Sequence, residues 1–424
     1  MSRKRKKQIM IISVILIIGI GIGLITYIRM EEKNKIITQG QVDVAVKALT
    51  MEEKLEDFEY LYTFIEENYP LLKINERVNG IDWLGEKESF KEAIQNTSTD
   101  EMFMSELIKI VDKLNDTHNY VVEMHFYKNY YASYTDPNYE EESKPWVDVI
   151  KDEKVLKRYK FDESQLKLIQ DINSNNRTVA SNAAYFTKDI IVPNEVAYLK
   201  IHGMNPDRIE EDGKLIREFL KEVKDYQKLI IDVRSMNSWK GDTDNYWMKN
   251  IVEPLTDKAI SVDNYILMRG EYGKLFHEHK GMSFSPITEL SGETLSDELK
   301  TDFDYYSIKN TTISPVDPVG FSGEIYVLID DKVVYMAENF AAFCKNSGFA
   351  TLVGETTSGI NWPFPTVISS LPNSGILIDI RNLISLNNDG TIREEVNIIP
   401  DIEVDAIRGK TYDRDKTIQY VINN

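Results

Sequence analysis

The chain has a single cysteine, Cys344, in 424 residues. That excludes an internal disulfide framework and a cysteine-rich zinc site, and the thiol is expected on the apolar face of a helix. No internal repeat and no long low-complexity tract is present, so the chain is not an array of stacked units. Basic charge is also scarce where a polyanion would need it. The formal net charge is −19. The first thirty residues hold Arg3, Lys4, Arg5, Lys6, Lys7 and Arg29 and no acid, which leaves the rest of the chain at about −25. An acidic body of this kind argues against nucleic acid as a partner, because phosphate binding needs a basic face.

One long apolar run does occur. Ile9 to Ile28 carries no charge, and its length matches the ~20 residues that cross a bilayer as a helix. Five basic residues precede it, so the positive-inside rule puts the N-terminus in the cytoplasm and the body outside. The competing reading is a cleaved signal peptide, whose apolar stretch is usually ~7–15 residues and ends in an A-x-A-like site. This run is longer and leads into Thr26-Tyr27-Ile28-Arg29 with no such site. An uncleaved single-pass anchor in the cell membrane, with an extracytoplasmic body, is therefore expected. Gly19 and Gly23 at GxxxG spacing would allow two such helices to pair as a homodimer.

At 42% hydrophobic residues the body can bury a sizeable core, in two or three domains by length. Its expected organisation is a basic cytoplasmic segment (1–8), the anchor (9–28), a stalk (29–50), a helical subdomain (51–120), a Tyr-rich linker or insertion (121–193), an α/β core (194–410) and a C-terminal tail (411–424). Leu55, Phe58, Leu61, Tyr62 and Ile65 form one helical stripe, ending at Asn68-Tyr69-Pro70. Phe103, Leu107, Ile110, Val111 and Leu114 form another, after the capping sequence Ser98-Thr99-Asp100-Glu101. A further helix is expected near 161–172. From Asn194 onward strands are expected at 196–201, 228–233, 324–329, 350–353 and 375–380. Helices are expected at 207–225, 243–254 and 336–346, and an exposed insertion at 270–312.

The run Gly323 to Ile329 turns through Asp330-Asp331 into a helical pattern, Ala337, Phe340, Ala341 and Cys344, stopped by Gly348. A strand turning sharply into a helix lifts one side chain above a helix N-terminus, the layout of a nucleophile elbow. In hydrolases that side chain is usually Ser or Cys, whereas this turn offers Tyr335 and Met336.

Four landmarks in order resemble the tail-specific protease family, the C-terminal processing peptidases. They are Leu114-Asn-Asp-Thr-His118-Asn, similar to L-x-D-x-H, and Val196–Ile201 followed by Leu229-Ile-Ile-Asp232-Val-Arg234. After these come Ala337-Glu338-Asn339-Phe340 with Gly354-Glu-Thr-Thr-Ser-Gly359, and then Glu394-Glu-Val-Asn-Ile-Ile-Pro400-Asp401. The resemblance spans roughly residues 110–405. It implies an α/β fold with a crotonase/ClpP-like core, an N-terminal helical subdomain, and serine peptidase chemistry without cofactor or metal. The stretch between His118 and Val196 lacks a Gly-Leu-Gly-Phe-like loop, so the PDZ-less, tricorn-like branch is implied.

Carried over residue by residue, the family's nucleophilic Ser falls on Tyr335, three positions before Glu338. The Lys that one branch places after G-E-x-T-x-G falls on Ile360. The tricorn-like branch instead uses a His and a Glu, which fall on His118 and Glu394, with Thr117 as a hydroxyl partner. The oxyanion turn follows D-x-R-x-N in the family. Here Asp232-Val-Arg234-Ser-Met-Asn237-Ser-Trp-Lys-Gly241 keeps one glycine, so Asn237, Gly241 and Met336 are the oxyanion or cleft candidates. A phenol is about 0.1% ionised at neutral pH, and losing one oxyanion donor costs ~10²–10³ in rate.

Plainer readings stand beside these. His118 could be a buried histidine bonded to Asp116 or to backbone. Tyr335 could be a packing residue in the old acyl pocket rather than a catalytic phenol, and Glu394 a solvated carboxylate. Asp232 and Arg234 are expected as a structural ion pair. His277-Glu278-His279 has too few neighbouring ligands for a zinc site and is expected on an exposed loop. Tyr127, Tyr130, Tyr131, Tyr134 and Tyr139 could line a peptide groove or pack under a loop. The first functional expectation is a membrane-anchored degenerate peptidase binding a peptide or unfolded protein terminus in the former cleft. The alternatives are an active serine-type peptidase using His118 with Thr117, Ser358 or another nucleophile, and a non-catalytic membrane scaffold.

Overall fold

The structure, a computed structural model, describes residues 47–135, 140–161, 184–234, 236, 243–290, 297–359, 365–405, 407–409 and 411–424. The expected anchor, residues 9–28, lies outside them. Among the described residues no helix is long and apolar enough to cross a membrane.

The described chain opens with helix α1 (Met51–Asn68). The Thr50 hydroxyl accepts from the Glu53 amide, while the Glu53 carboxylate accepts from the Thr50 amide. This capping box satisfies two donors that a helix start would otherwise leave orphaned. The predicted stripe is the buried face: Phe58, Leu61 and Ile65 are fully enclosed. Helices α2 (Leu72–Asn79), α3 (Lys87–Gln95) and α4 (Asp100–Asp112) follow. Of the expected capping sequence it is Thr99 that starts α4, its hydroxyl accepting from the Met102 amide.

The Tyr-rich segment is not a linker where it is described. After strand β1 (Tyr120–Val121) it forms α5 (Met124–Tyr134), α6 (Lys144–Ile150) and α7 (Glu153–Arg158). Tyr127 stacks on Tyr159 with ring centroids 4.2 Å apart, and Trp146 meets Phe276 edge-on at 5.0 Å. Both Tyr127 and Tyr131 are buried. Aromatic side chains of this size dominate core energetics when enclosed, which is why a segment rich in them folds inward. Tyr139 and nearly all of the helix expected at 161–172 lie outside the described residues.

Beyond residue 184 the principal elements are β2 (Phe186–Val192), β3 (Val196–Ile201), α8 (Ile209–Glu222), β4 (Lys228–Asp232), α9 (Asp244–Trp247), β5 (Ile260–Met268), α10 (Tyr272–His279), β6 (Ser285–Pro286) and β7 (Tyr305–Ile313). The rest are β8 (Glu324–Ile329), α11 (Met336–Ser347), β9 (Thr351–Gly354), β10 (Val367–Ser370), β11 (Leu377–Ile380), β12 (Leu383–Ser385), α12 (Arg393–Val396), β13 (Ile402–Glu403) and α13 (Lys416–Asn423).

The central sheet has the order β13-β9-β8-β4-β3-β2, parallel except for the antiparallel β2–β3 edge pair. Its inner strands are near-continuous Val/Ile/Leu runs because both faces are covered. Leu229, Ile231, Val327 and Ile329 face α8 and α11, while Ile230, Leu328 and Val353 face Ile418 and Val421 of α13. Residues 411–424, expected as a tail, therefore close one face of the sheet.

The expected exposed insertion at 270–312 is also corrected. Strands β5 and β7 pair from Ile260↔Ile313 to Met268↔Tyr305 within the sheet β12-β5-β7-β6. Leu267, Phe276 and Ile287 join the N-terminal helices and the antiparallel sheet β1-β11-β10 in one core. Strand β7, "YYSIKNTTI", reads as surface because it encloses only Ser307 and Ile313 and leaves 308–310 exposed. His277 is not on a loop: it lies buried on α10 and its Nε2 is 2.8 Å from Asn382 Oδ1. Burial pushes its imidazole down to about 4. His279 Nε2 instead meets the Glu141 carbonyl at 2.6 Å, so the two rings serve different contacts. Among the described residues no group of three or more His, Cys, Asp or Glu could hold a metal ion. Cys344 is buried on α11, as its helical spacing required.

Candidate functional site

Strand β8 runs into Asp330, whose carbonyl accepts from the Val333 amide and whose carboxylate accepts from the Lys332 amide. Five residues after Asp330, Tyr335 has φ 53° and ψ −123°, and α11 begins at Met336. An L-residue with a side chain is strained in that region, so the surrounding chain must hold it there. Two neighbours do so. The amide and hydroxyl of Ser358 both donate to the Val333 carbonyl, at 3.4 and 3.0 Å. Gly354 packs so tightly on the end of β8 that a Cβ there would overlap the Ile329 carbonyl. The elbow is thus present, with Tyr335 at its apex and Met336 half-buried just inside the helix.

Glu338, one turn into α11, is fully buried. Its Oε1 accepts from the Thr357 hydroxyl at 2.7 Å, and Thr357 Oγ1 accepts from the Ile398 amide at 3.0 Å. This chain ties the elbow helix to residues 354–359 and to the segment leading into β13. Burial raises the Glu338 carboxyl to about 7, the Thr357 hydrogen bond and Arg393 opposing it.

His118 stands on the turn after α4. Asp116 accepts from the His118 backbone amide at 3.0 Å, and His118 Nδ1 is 3.0 Å from Asp116 Oδ1. Arg381, immediately after β11, inserts beside them. Its Nε is 2.9 Å from Asp116 Oδ2, its Nη2 is 2.5 Å from His118 Nδ1, and its Nη1 is 3.5 Å from Glu394 Oε1. Glu394 also accepts from the Ser385 amide at 3.2 Å. Burial disfavours the Asp116 charge, but Arg381 and His118 outweigh it and the carboxyl sits below the ordinary range. Glu394 goes the other way: burial raises it, with Arg381 and Arg393 opposing.

His118, Thr117, Arg381, Glu394, Tyr69 and Gly359 line one cavity of about 200 Å³. Gly359 has φ 71°, and a Cβ there would overlap the Asn397 side chain. The cavity therefore reaches the segment that braces the elbow, one residue from Ser358. So the sequence-derived residues His118, Thr117 and Glu394 converge, and Tyr335 occupies the adjoining elbow. Glu394 is not solvated; its side chain is 4% exposed. The guanidinium of Arg381 bridges it to His118. Asn237 and Gly241 lie outside the described residues. Asp232 and Arg234 form the expected ion pair, at 2.9 Å, and Asp415 completes it at 3.0 Å. The sequence reading missed Arg381. Its one signal is a cation within the buried run Ile376–Leu386, where charges are rare unless paired.

An elbow at the end of a parallel sheet, braced by a glycine-bounded loop and adjoined by a histidine cavity, defines an α/β protein of the serine hydrolase type. The model of peptidase family S41 matches residues 195–404, and this part of the chain belongs to that family. A candidate peptidase from Parabacteroides merdae shares the fold, with a TM-score of 0.53 at 16% identity over 87% of this chain and 96% of that one. Mature CPAF complexed with lactacystin aligns at 13% identity over 83% and 94%, with a TM-score of 0.48. The photosystem II D1 C-terminal processing protease aligns at 12% over 84% and 94%, with a TM-score of 0.43. No curated protein matches the sequence.

Proposed function

We propose that this chain is a peptide-binding member of the family in which hydrolysis has been lost. On this reading residues 9–28 anchor it in the cell membrane, with its body outside and pairing through Gly19 and Gly23. The observation that carries the proposal is Tyr335 at the elbow apex, in the strained conformation of a nucleophile. A phenol has an ordinary pKa near 10, and its ring carries the oxygen well beyond where a serine Oγ would sit. Ser358, the nearest hydroxyl along the brace, is committed to the Val333 carbonyl. A general base lacking a nucleophile does no acyl transfer, whereas a cleft that retains its shape still accepts an extended peptide.

The test is incubation of an unbiased peptide library with the full chain and with its His118→Ala variant, scored for both cleavage and capture. Capture without cleavage by either protein is expected. Cleavage that disappears in His118→Ala would overturn the reading and identify a working peptidase.

A further inference from the structure

Arg393 opens α12 with a side chain that is 4% exposed. Its Nε and Nη2 are enclosed and have no hydrogen-bond partner among the described residues. The acids around it, Glu394, Glu338 and Asp244, act on it only at a distance. A buried guanidinium with neither an ion pair nor a hydrogen bond is unusual, since such groups are ordinarily paired.

Arg393 lines a cavity of about 110 Å³ between α9, α11 and the β5–β7 pair. Trp247, Val262 and Phe343 supply apolar wall. Asp244 also lines it, but its carboxylate already accepts from Trp247 Nε1 at 2.8 Å and from Asn339 Nδ2 at 3.3 Å. Lys309, exposed on β7, also lines it and makes no ion pair among the described residues. One enclosed and one exposed cation thus address the same space, neither of them in an ion pair among the described residues, against a wall that is otherwise apolar or already bonded.

We propose that this cavity binds a carboxylate carried on a short apolar stem, with Arg393 as the partner of the carboxylate and Lys309 as the second lining cation. Guanidinium matches carboxylate in a two-point fork, which no neutral ligand can reproduce. The volume is below the roughly 150 Å³ that holds a benzene ring in an engineered cavity, so the ligand is a small acid or the last residue of a chain. The site shares no lining residue with the His118 cavity and does not depend on the peptide-binding reading.

Calorimetric titration of the full chain with butyrate, and with neutral butyramide, tests the proposal. Saturable butyrate binding is expected, with butyramide weaker by about tenfold or more. Arg393→Met should weaken butyrate by about the same factor, and Lys309→Gln by about threefold. The tripeptide Ala-Ala-Val, with a free or an amidated end, separates the two sources. Binding of butyrate alone assigns a free acid; binding of both assigns a chain terminus as well. Equal binding of acid and amide, or no saturable binding, overturns the proposal. Lys309→Gln changes an exposed side chain and decides the matter even where Arg393→Met fails to fold: an unchanged butyrate affinity in it also overturns the proposal. Peptide capture is scored separately, so loss of either activity leaves the other standing.

Discussion

Arg381 holds its Nη2 2.5 Å from Nδ1 of His118, across a gap of 263 residues in the chain. A hydrolytic histidine is usually oriented by a carboxylate that stabilises its protonated form. Here a carboxylate, Asp116, and a permanent cation, Arg381, both meet the same ring nitrogen of His118, and a cation beside the ring opposes its protonation; Glu394 is directed to the cation rather than to the ring.

Removing that cation should be costly. Arg381→Met leaves Asp116 and Glu394 enclosed without their shared counter-charge, and breaking a buried pair in this way typically costs roughly 3–5 kcal/mol. Urea denaturation at neutral pH measures it. A loss below about 1 kcal/mol would mean that the carboxylates simply take up protons.

Glu338 makes stability depend on pH in a definite direction. Its folded value, about 7, lies above the ordinary 4.5. The folded state therefore holds the proton more tightly. The stability this contributes is complete below the ordinary value and is lost as pH rises through the folded one. Glu338→Gln removes the dependence, and Gln can still accept from Thr357. The variant should gain on the parent by roughly 2–3 kcal/mol between pH 4.5 and 8. Asp379, raised by burial to about 6, titrates in both proteins and cancels in the comparison of their denaturation curves.

The elbow strain can be read from a pair of variants. Tyr335→Gly and Tyr335→Ala both remove the ring, so their difference isolates the backbone. At φ 53° and ψ −123° glycine should be the more stable by about 1–2 kcal/mol, the reverse of its usual deficit against alanine. Thermal melting of the two proteins checks this, and an alanine variant at least as stable would show that Tyr335 is unstrained.

Asp57 joins α1 to the turn between β10 and β11. Fully buried, it accepts from the amides of Asn373 and Ser374 at 2.7 and 2.8 Å. Asp57→Ala strands both donors and should cost about 2–4 kcal/mol. The Ser374 amide should then exchange with deuterium much faster than in the parent, while amides in β4 lose only what the global stability loses.

Local chemistry was legible wherever one stretch of chain carries the whole instruction. β8 matches the strand-length run Glu324–Ile329, α11 follows the helical spacing after it, and Thr99 caps α4. The ion pair of Asp232 with Arg234 is likewise a two-residue affair. Motif order was enough to bring out the family, and with it the convergence of His118 and Glu394 on one cavity. Only the folded chain could decide the rest. The segment 270–312 looked exposed because β7 buries few of its side chains, and its partner β5 lies some forty residues earlier. The aromatics of 124–159 could be core or groove until α6 docked on α10. Arg381 and Arg393 look alike as cations in sequence, yet one is clasped by Asp116 and the other is enclosed with its Nε and Nη2 unbonded among the described residues. Periodicity specifies which face of an element is hidden. Which charges meet there depends on how distant elements pack, and that is a property of the tertiary structure alone.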